Sequence, residues 1–123
     1  MTGLTPLEKA VLLEIVEQLD SPQKESLAQQ VANASVISRE NTGAGFYTNF
    51  DVQGGPYVAL PDLKDRMVEA QIEGLQHGMG FILWVKDGRL DFLEGYSYEE
   101  VTTPLTWEIV TFELIDLKKK YLS

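Results

Sequence analysis

The chain has no cysteine among its 123 residues. Disulfides, thiolate metal sites and cysteine nucleophiles are therefore excluded, and the absence fits a reducing compartment. Histidine is nearly as scarce, with His77 standing alone. One histidine and no thiol cannot build the usual zinc ligand set. The acids, though plentiful, show no EF-hand spacing. A serine hydrolase would have only His77 as its base, and the G-x-S-x-G turn is missing. Gly43-Ala44-Gly45 and Gly78-Met79-Gly80 lack the helix start and lysine of a phosphate loop. The sequence supports no catalytic residue, no metal ligand and no cofactor.

Basic residues are also few. Ten lysines and arginines face nineteen acids, for a net charge of −9. Three of the ten sit together at Lys118-Lys119-Lys120, so the remainder is more acidic still. Such a surface repels a phosphate backbone and anionic lipid. The expectation is no nucleic acid and no membrane, with a basic protein as the favoured partner. The same charge also serves solubility alone.

Long apolar runs are absent. The longest spans Phe81 to Val85, far short of the ~20 residues of a membrane helix. The N-terminal stretch MTGLTPLEKAVLLEIVEQLD has no basic region and its apolar residues are interrupted by acids, unlike a signal peptide. These features predict a soluble, cytoplasmic protein.

The remaining composition is ordinary for a globular chain, with 44% hydrophobic and 24% charged residues. The length suits one domain over 1–123, with a helical pair over about 5–34 and a sheet over about 36–117. Thr5, Pro6 and Glu8 predict a helix start: a cap, a proline at the first position and a capping box. Leu12, Ile15, Val16 and Leu19 follow on one face. Pro22 predicts the first position of a second helix, capped by Ser21 or Asp20, with Leu27, Val31 and Ala34 on its inner face.

Strands follow. Val36 to Arg39 is one. Phe46, Thr48, Phe50 and Val52 alternate with Tyr47, Asn49 and Asp51 in the next. Tyr57 to Arg66, with Pro61 inside it and Pro56 just before it, reads as a loop. Met67 to Gly74 fits both a strand and a helix period; Gly74, Gly78 and Gly80 favour the strand. A last strand is expected from about Trp107 to Asp116. The fold class is α+β: two N-terminal helices packed on a mainly antiparallel sheet of about five strands.

The strongest local signal is Asp87-Gly88 between two apolar runs, the pattern of a type I′ hairpin. Lys86 then pairs with Arg89 and Val85 with Leu90. Strict alternation continues the register to Leu83 with Phe92 and Phe81 with Glu94. It places Phe81, Leu83, Val85, Leu90 and Phe92 on an apolar face, and Ile82, Trp84, Lys86, Arg89, Asp91 and Leu93 on a mixed one.

That register sets Glu94 beside Phe81, where desolvation would raise its pKa and make it a candidate acid or base. The simpler reading is that a bulge at Gly95, or the end of the sheet, releases Glu94 to water or to Tyr96, Tyr98 or Arg39. His77 could pair with Glu73, or lie exposed in a hairpin loop. Tyr47, Trp84, Tyr96 and Tyr98 supply amphipathic contact area of the kind favoured at interfaces. The patch around Trp84 calls for a covering loop or a partner.

TGAGFYTNF (Thr42 to Phe50) and GLQHGMGFILWVKDGRLDFLEGYSYEE (Gly74 to Glu100) resemble a family of small uncharacterised bacterial proteins. Their pattern is T-G-x-G-F-[FY]-T followed by G-L-x-x-G-x-G-F and D-G-x-L-x-x-L-E-G-Y-x-Y. The likeness covers the central half of the chain. It ends after Glu100, where Val101-Thr102-Thr103-Pro104 replaces an acidic Trp-Pro ending. The resemblance implies a strand over Met67 to Gly74 and a bacterial setting, and it implies no activity.

Three functions stay open. The first is a non-enzymatic protein-binding module, in its specific form an acidic immunity or inhibitor protein. The second is a ligand-binding protein or enzyme using Glu94, Tyr96, Arg39 and His77 at a cleft. The third is a homodimer formed through Trp84 and its neighbours.

Overall fold

The computed structural model describes residues 3–58 and 68–115. Among these residues two helices, α1 (Pro6–Glu17) and α2 (Gln23–Asn33), precede six strands. These are β1 (Ala34–Asn41), β2 (Gly45–Val52), β3 (Val68–Ile72), β4 (Met79–Lys86), β5 (Arg89–Ser97) and β6 (Phe112–Ile115). They form one sheet in the order β1-β2-β5-β4-β3-β6. Every neighbouring pair is antiparallel. The α+β class is as expected, with six strands rather than about five. No described helix is long and apolar enough to cross a membrane.

Helix α1 starts as its sequence dictates. The Thr5 hydroxyl accepts from the Glu8 amide at 3.0 Å, and the Glu8 carboxylate accepts from the Thr5 amide at 2.9 Å. Leu7, Val11, Leu12, Ile15 and Val16 are all buried on the inner face. Helix α2 departs from expectation at its start. Pro22 is its N-cap rather than its first residue, and no side chain caps it. The Ser21 hydroxyl instead donates to the Glu25 carboxylate at 2.5 Å. Ala34 ends α2 and opens β1.

The helices cover one face of the sheet, which carries Phe46, Phe50, Val68, Ala70, Ile72, Phe81, Leu83, Val85 and Leu90 in the core. From α2, the buried Gln30 holds the hairpin. Its Nε2 donates to the carbonyls of Pro56 (2.9 Å) and Gly88 (2.6 Å), and its Oε1 accepts from the Leu90 amide (2.9 Å). Asp87 and Gly88 have φ of 51° and 77°, the two positive values that a type I′ turn requires.

Beyond the turn the expected register fails. Lys86 pairs with Arg89 and Val85 with Leu90, but Trp84 then faces Phe92. Asp91 is an extra residue without a partner on β4, so β5 carries a bulge that reverses its phase. Leu83 meets Leu93, Ile82 meets Glu94 and Phe81 meets Gly95. Leu93 is fully buried, while Phe92 moves to the opposite face. Burying a side chain such as Leu93 contributes about 2 kcal/mol. The unshifted register would have buried the Glu94 carboxylate instead, at a cost of several kcal/mol for an unpaired charge.

Other boundaries also shift. Strand β1 is longer than Val36 to Arg39 and has its own irregularity, with Ile37 unpaired between Val36 and Ser38. Strand β3 confirms the strand reading within 67–74. Among the described residues the last strand covers Phe112–Ile115 and starts later than expected, because Trp107 belongs to a run of turns and buries its ring on Phe46 at 4.6 Å. Most of the expected 57–66 loop, and the Lys118–Lys120 cluster, lie outside the described residues.

Candidate functional site

The sheet face opposite the helices is assembled row by row from the strand registers. In one row Glu40 of β1 faces Tyr47 of β2, Tyr47 faces Glu94 of β5, and Glu94 faces Ile82 of β4. In the next, Ser38, Asn49, Phe92 and Trp84 follow in the same strand order. On the other side, Gly45 faces Tyr96, Tyr96 faces Gly80, and Gly80 faces Glu69 of β3. The Tyr96 ring lies over Gly80 and takes the space a Cβ there would need.

Tyr47, Phe92 and Trp84 form a connected strip, and Tyr96 and Tyr98 a separate pair. Trp84 and Phe92 stack with centroids 5.6 Å apart and planes 19° from parallel. Tyr47 meets Phe92 edge to face at 5.7 Å. Tyr96 and Tyr98 meet edge to face at 5.6 Å. These offset and T-shaped geometries are the favoured ones for aromatic pairs.

Two carboxylates are held among the rings. The Trp84 indole donates to Glu94 Oε1 at 3.1 Å. The Tyr98 hydroxyl donates to Glu69 Oε1 at 3.1 Å. Burial raises the Tyr98 pKa well above the ordinary phenol value, with Tyr96 and the Glu69 charge adding to the shift. Burial likewise raises Tyr96, reinforced by the charges of Glu69 and Glu94. Both phenols therefore stay protonated at neutral pH.

Five of the seven residues selected from sequence share this face: Tyr47, Trp84, Glu94, Tyr96 and Tyr98. Arg39 and His77 do not. Arg39 pairs with Thr48 on the helix side of β1, where Glu8 fixes its guanidinium. The hydrogen bonds that it donates to the Glu8 carboxylate raise its pKa. His77 is exposed in the turn after β3, and its amide donates to the Glu100 carboxylate at 2.8 Å. The cleft expected around Glu94, Tyr96, Arg39 and His77 is thus not assembled. Glu94 does not lie beside Phe81, and its partner is Trp84 rather than Tyr96, Tyr98 or Arg39.

Sequence reasoning misplaced or missed four residues. Phe92 was expected in the core and Leu93 in the exposed patch; the bulge exchanges them. Glu69 gave no signal beyond an acid in an alternating strand. Glu8 read only as a capping residue, although it is buried and ion-paired.

Among the described residues no group of three or more histidines or acids could hold a metal ion. An open groove of about 380 Å³ lies between Gly74 and the loop through Pro104, Leu105 and Ile109, away from the aromatic strip. No protein-family model, curated protein or solved structure matches the chain.

Proposed function

We propose that this chain is a cytoplasmic, non-enzymatic protein-binding module that takes a basic partner on the sheet face opposite its helices. The carrying observation is the strip Tyr47–Phe92–Trp84, bordered by Glu40 and Glu94. Aromatic residues rich in contact area and set on rigid strands suit an interface. A net charge of −9 favours fast encounter with a basic surface. In its specific form the partner is a basic toxic protein, and the chain is its inhibitor. The likeness to small bacterial proteins is compatible with that setting and adds no activity of its own.

The test is co-purification of the chain with the products of the genes flanking its own, repeated with Trp84→Ala. Recovery of a basic protein by the wild type, lost in the variant, supports the reading. A soluble monomer that recovers none of these products contradicts it.

A further inference from the structure

The chemistry of the partner follows from the groups on the sheet face opposite the helices, and this step rests on the protein-binding role proposed above. Glu40 and Glu94 flank the Tyr47 ring in register. Neither forms an ion pair among the described residues. Trp84 occupies Oε1 of Glu94, while Oε2 accepts no hydrogen bond from any described residue. Tyr47 is 36% exposed, and Phe92 and Trp84 are half-buried beside it. Among the described residues the face therefore offers ring surface and negative charge without an ion-pair partner.

A second copy of the chain fits this surface poorly. It would set its own Glu40 and Glu94 against the same acids, with −9 on each molecule, and like charges in juxtaposition oppose association. A guanidinium fits well. It is planar and weakly hydrated, stacks on aromatic faces and pairs with a carboxylate through parallel N–H donors. An ammonium is compact and strongly hydrated, so it gains less from the rings. We infer that the partner presents an arginine-bearing segment, with a guanidinium lying against the Tyr47–Phe92 rings and donating to Glu94 Oε2.

The test is a heteronuclear NMR titration of the intact chain with a short peptide alternating alanine and arginine. Lysine and glutamate versions of the peptide serve as controls. The arginine peptide is expected to move the amides of Tyr47, Phe92 and Glu94 and the Trp84 indole signal. The lysine peptide is expected to bind several-fold more weakly, and the glutamate peptide not at all. Glu94→Gln, and separately Glu40→Gln, should each weaken the arginine peptide, the former by roughly tenfold, with folded spectra retained.

Equal binding of the arginine and lysine peptides, with shifts spread over the acidic surface, would overturn the inference. So would a dimer in light scattering whose dilution moves these same signals. A flanking-gene product that binds while the arginine peptide leaves this row unmoved would refute the arginine site and leave the protein-binding role standing. Arginine-selective shifts without any flanking-gene partner would support the site and count against the inhibitor role.

Discussion

Arg39 grips both carboxylate oxygens of Glu8, with Nε 2.7 Å from Oε2 and Nη2 2.6 Å from Oε1. Glu8 is fully buried, and it also accepts from the Thr5 amide and the Thr48 hydroxyl. One carboxylate thus joins the start of α1 to β1 and β2. Its charge is tolerated because every oxygen is bonded and a cation is in contact. Arg39 in turn reaches the Gly3 carbonyl at 2.9 Å and Glu108 at 3.3 Å.

Glu8→Gln should lower the unfolding free energy by about 3 kcal/mol in urea denaturation, because it takes from Arg39 its buried charge partner and leaves only the exposed Glu108. Arg39→Met should cost a similar amount. The double variant should fall short of the sum, since the second change removes an interaction already broken. Additive costs would show that the pair contributes nothing jointly.

Much of the fold was legible from sequence because its signals are local. Thr5, Pro6 and Glu8 lie within one turn of chain, and Asp87-Gly88 dictates its own backbone. The Glu8–Arg39 pair was not legible, since 31 positions separate the two residues and no local pattern marks them as neighbours. The bulge at Asp91 was hidden for another reason. Phe92 and Leu93 are both apolar, so either phase gives a plausible inner face. The choice is made by the next two residues. The shifted phase turns Glu94 outward and sends Gly95 inward, where Phe46 and Met79 fill the space of its missing side chain. The aromatic strip depends on that choice, so its members could be named from sequence, but Phe92 could not be placed among them.

Gly45 should not tolerate a side chain. Its φ is +134°, and an added Cβ would run into the Gly95 carbonyl of β5. Gly45→Ala must push β2 away from β5 at the row that holds Tyr96. A loss of at least about 3 kcal/mol is expected from such backbone interference. Chemical denaturation checks it, and a variant as stable as wild type would contradict the close strand approach.

The phenols predict a pH dependence at the alkaline end. Tyr96 and Tyr98 have folded pKa values raised by burial. Near the ordinary phenol value of about 10, the unfolded chain releases these protons while the folded chain keeps them. Their contribution to stability is therefore intact below that pH and is lost as pH rises toward the folded values. In ultraviolet titration, the Tyr96 and Tyr98 share of the phenolate absorbance should develop only well above pH ~10. Tyr98→Phe should remove part of this late phase. Loss of absorbance from the ordinary phenol range near pH ~10 instead would contradict the placement of Tyr98 against Glu69.

The lack of native cysteine permits the most direct test of the phase reversal that creates the proposed surface. Single variants Phe92→Cys and Leu93→Cys would be exposed to a thiol reagent under native conditions, with folding confirmed by circular dichroism. The account predicts rapid labelling at position 92 and protection at position 93 until the chain unfolds. Protection at 92 with free labelling at 93 would restore the unbroken register and remove Phe92 from the binding face.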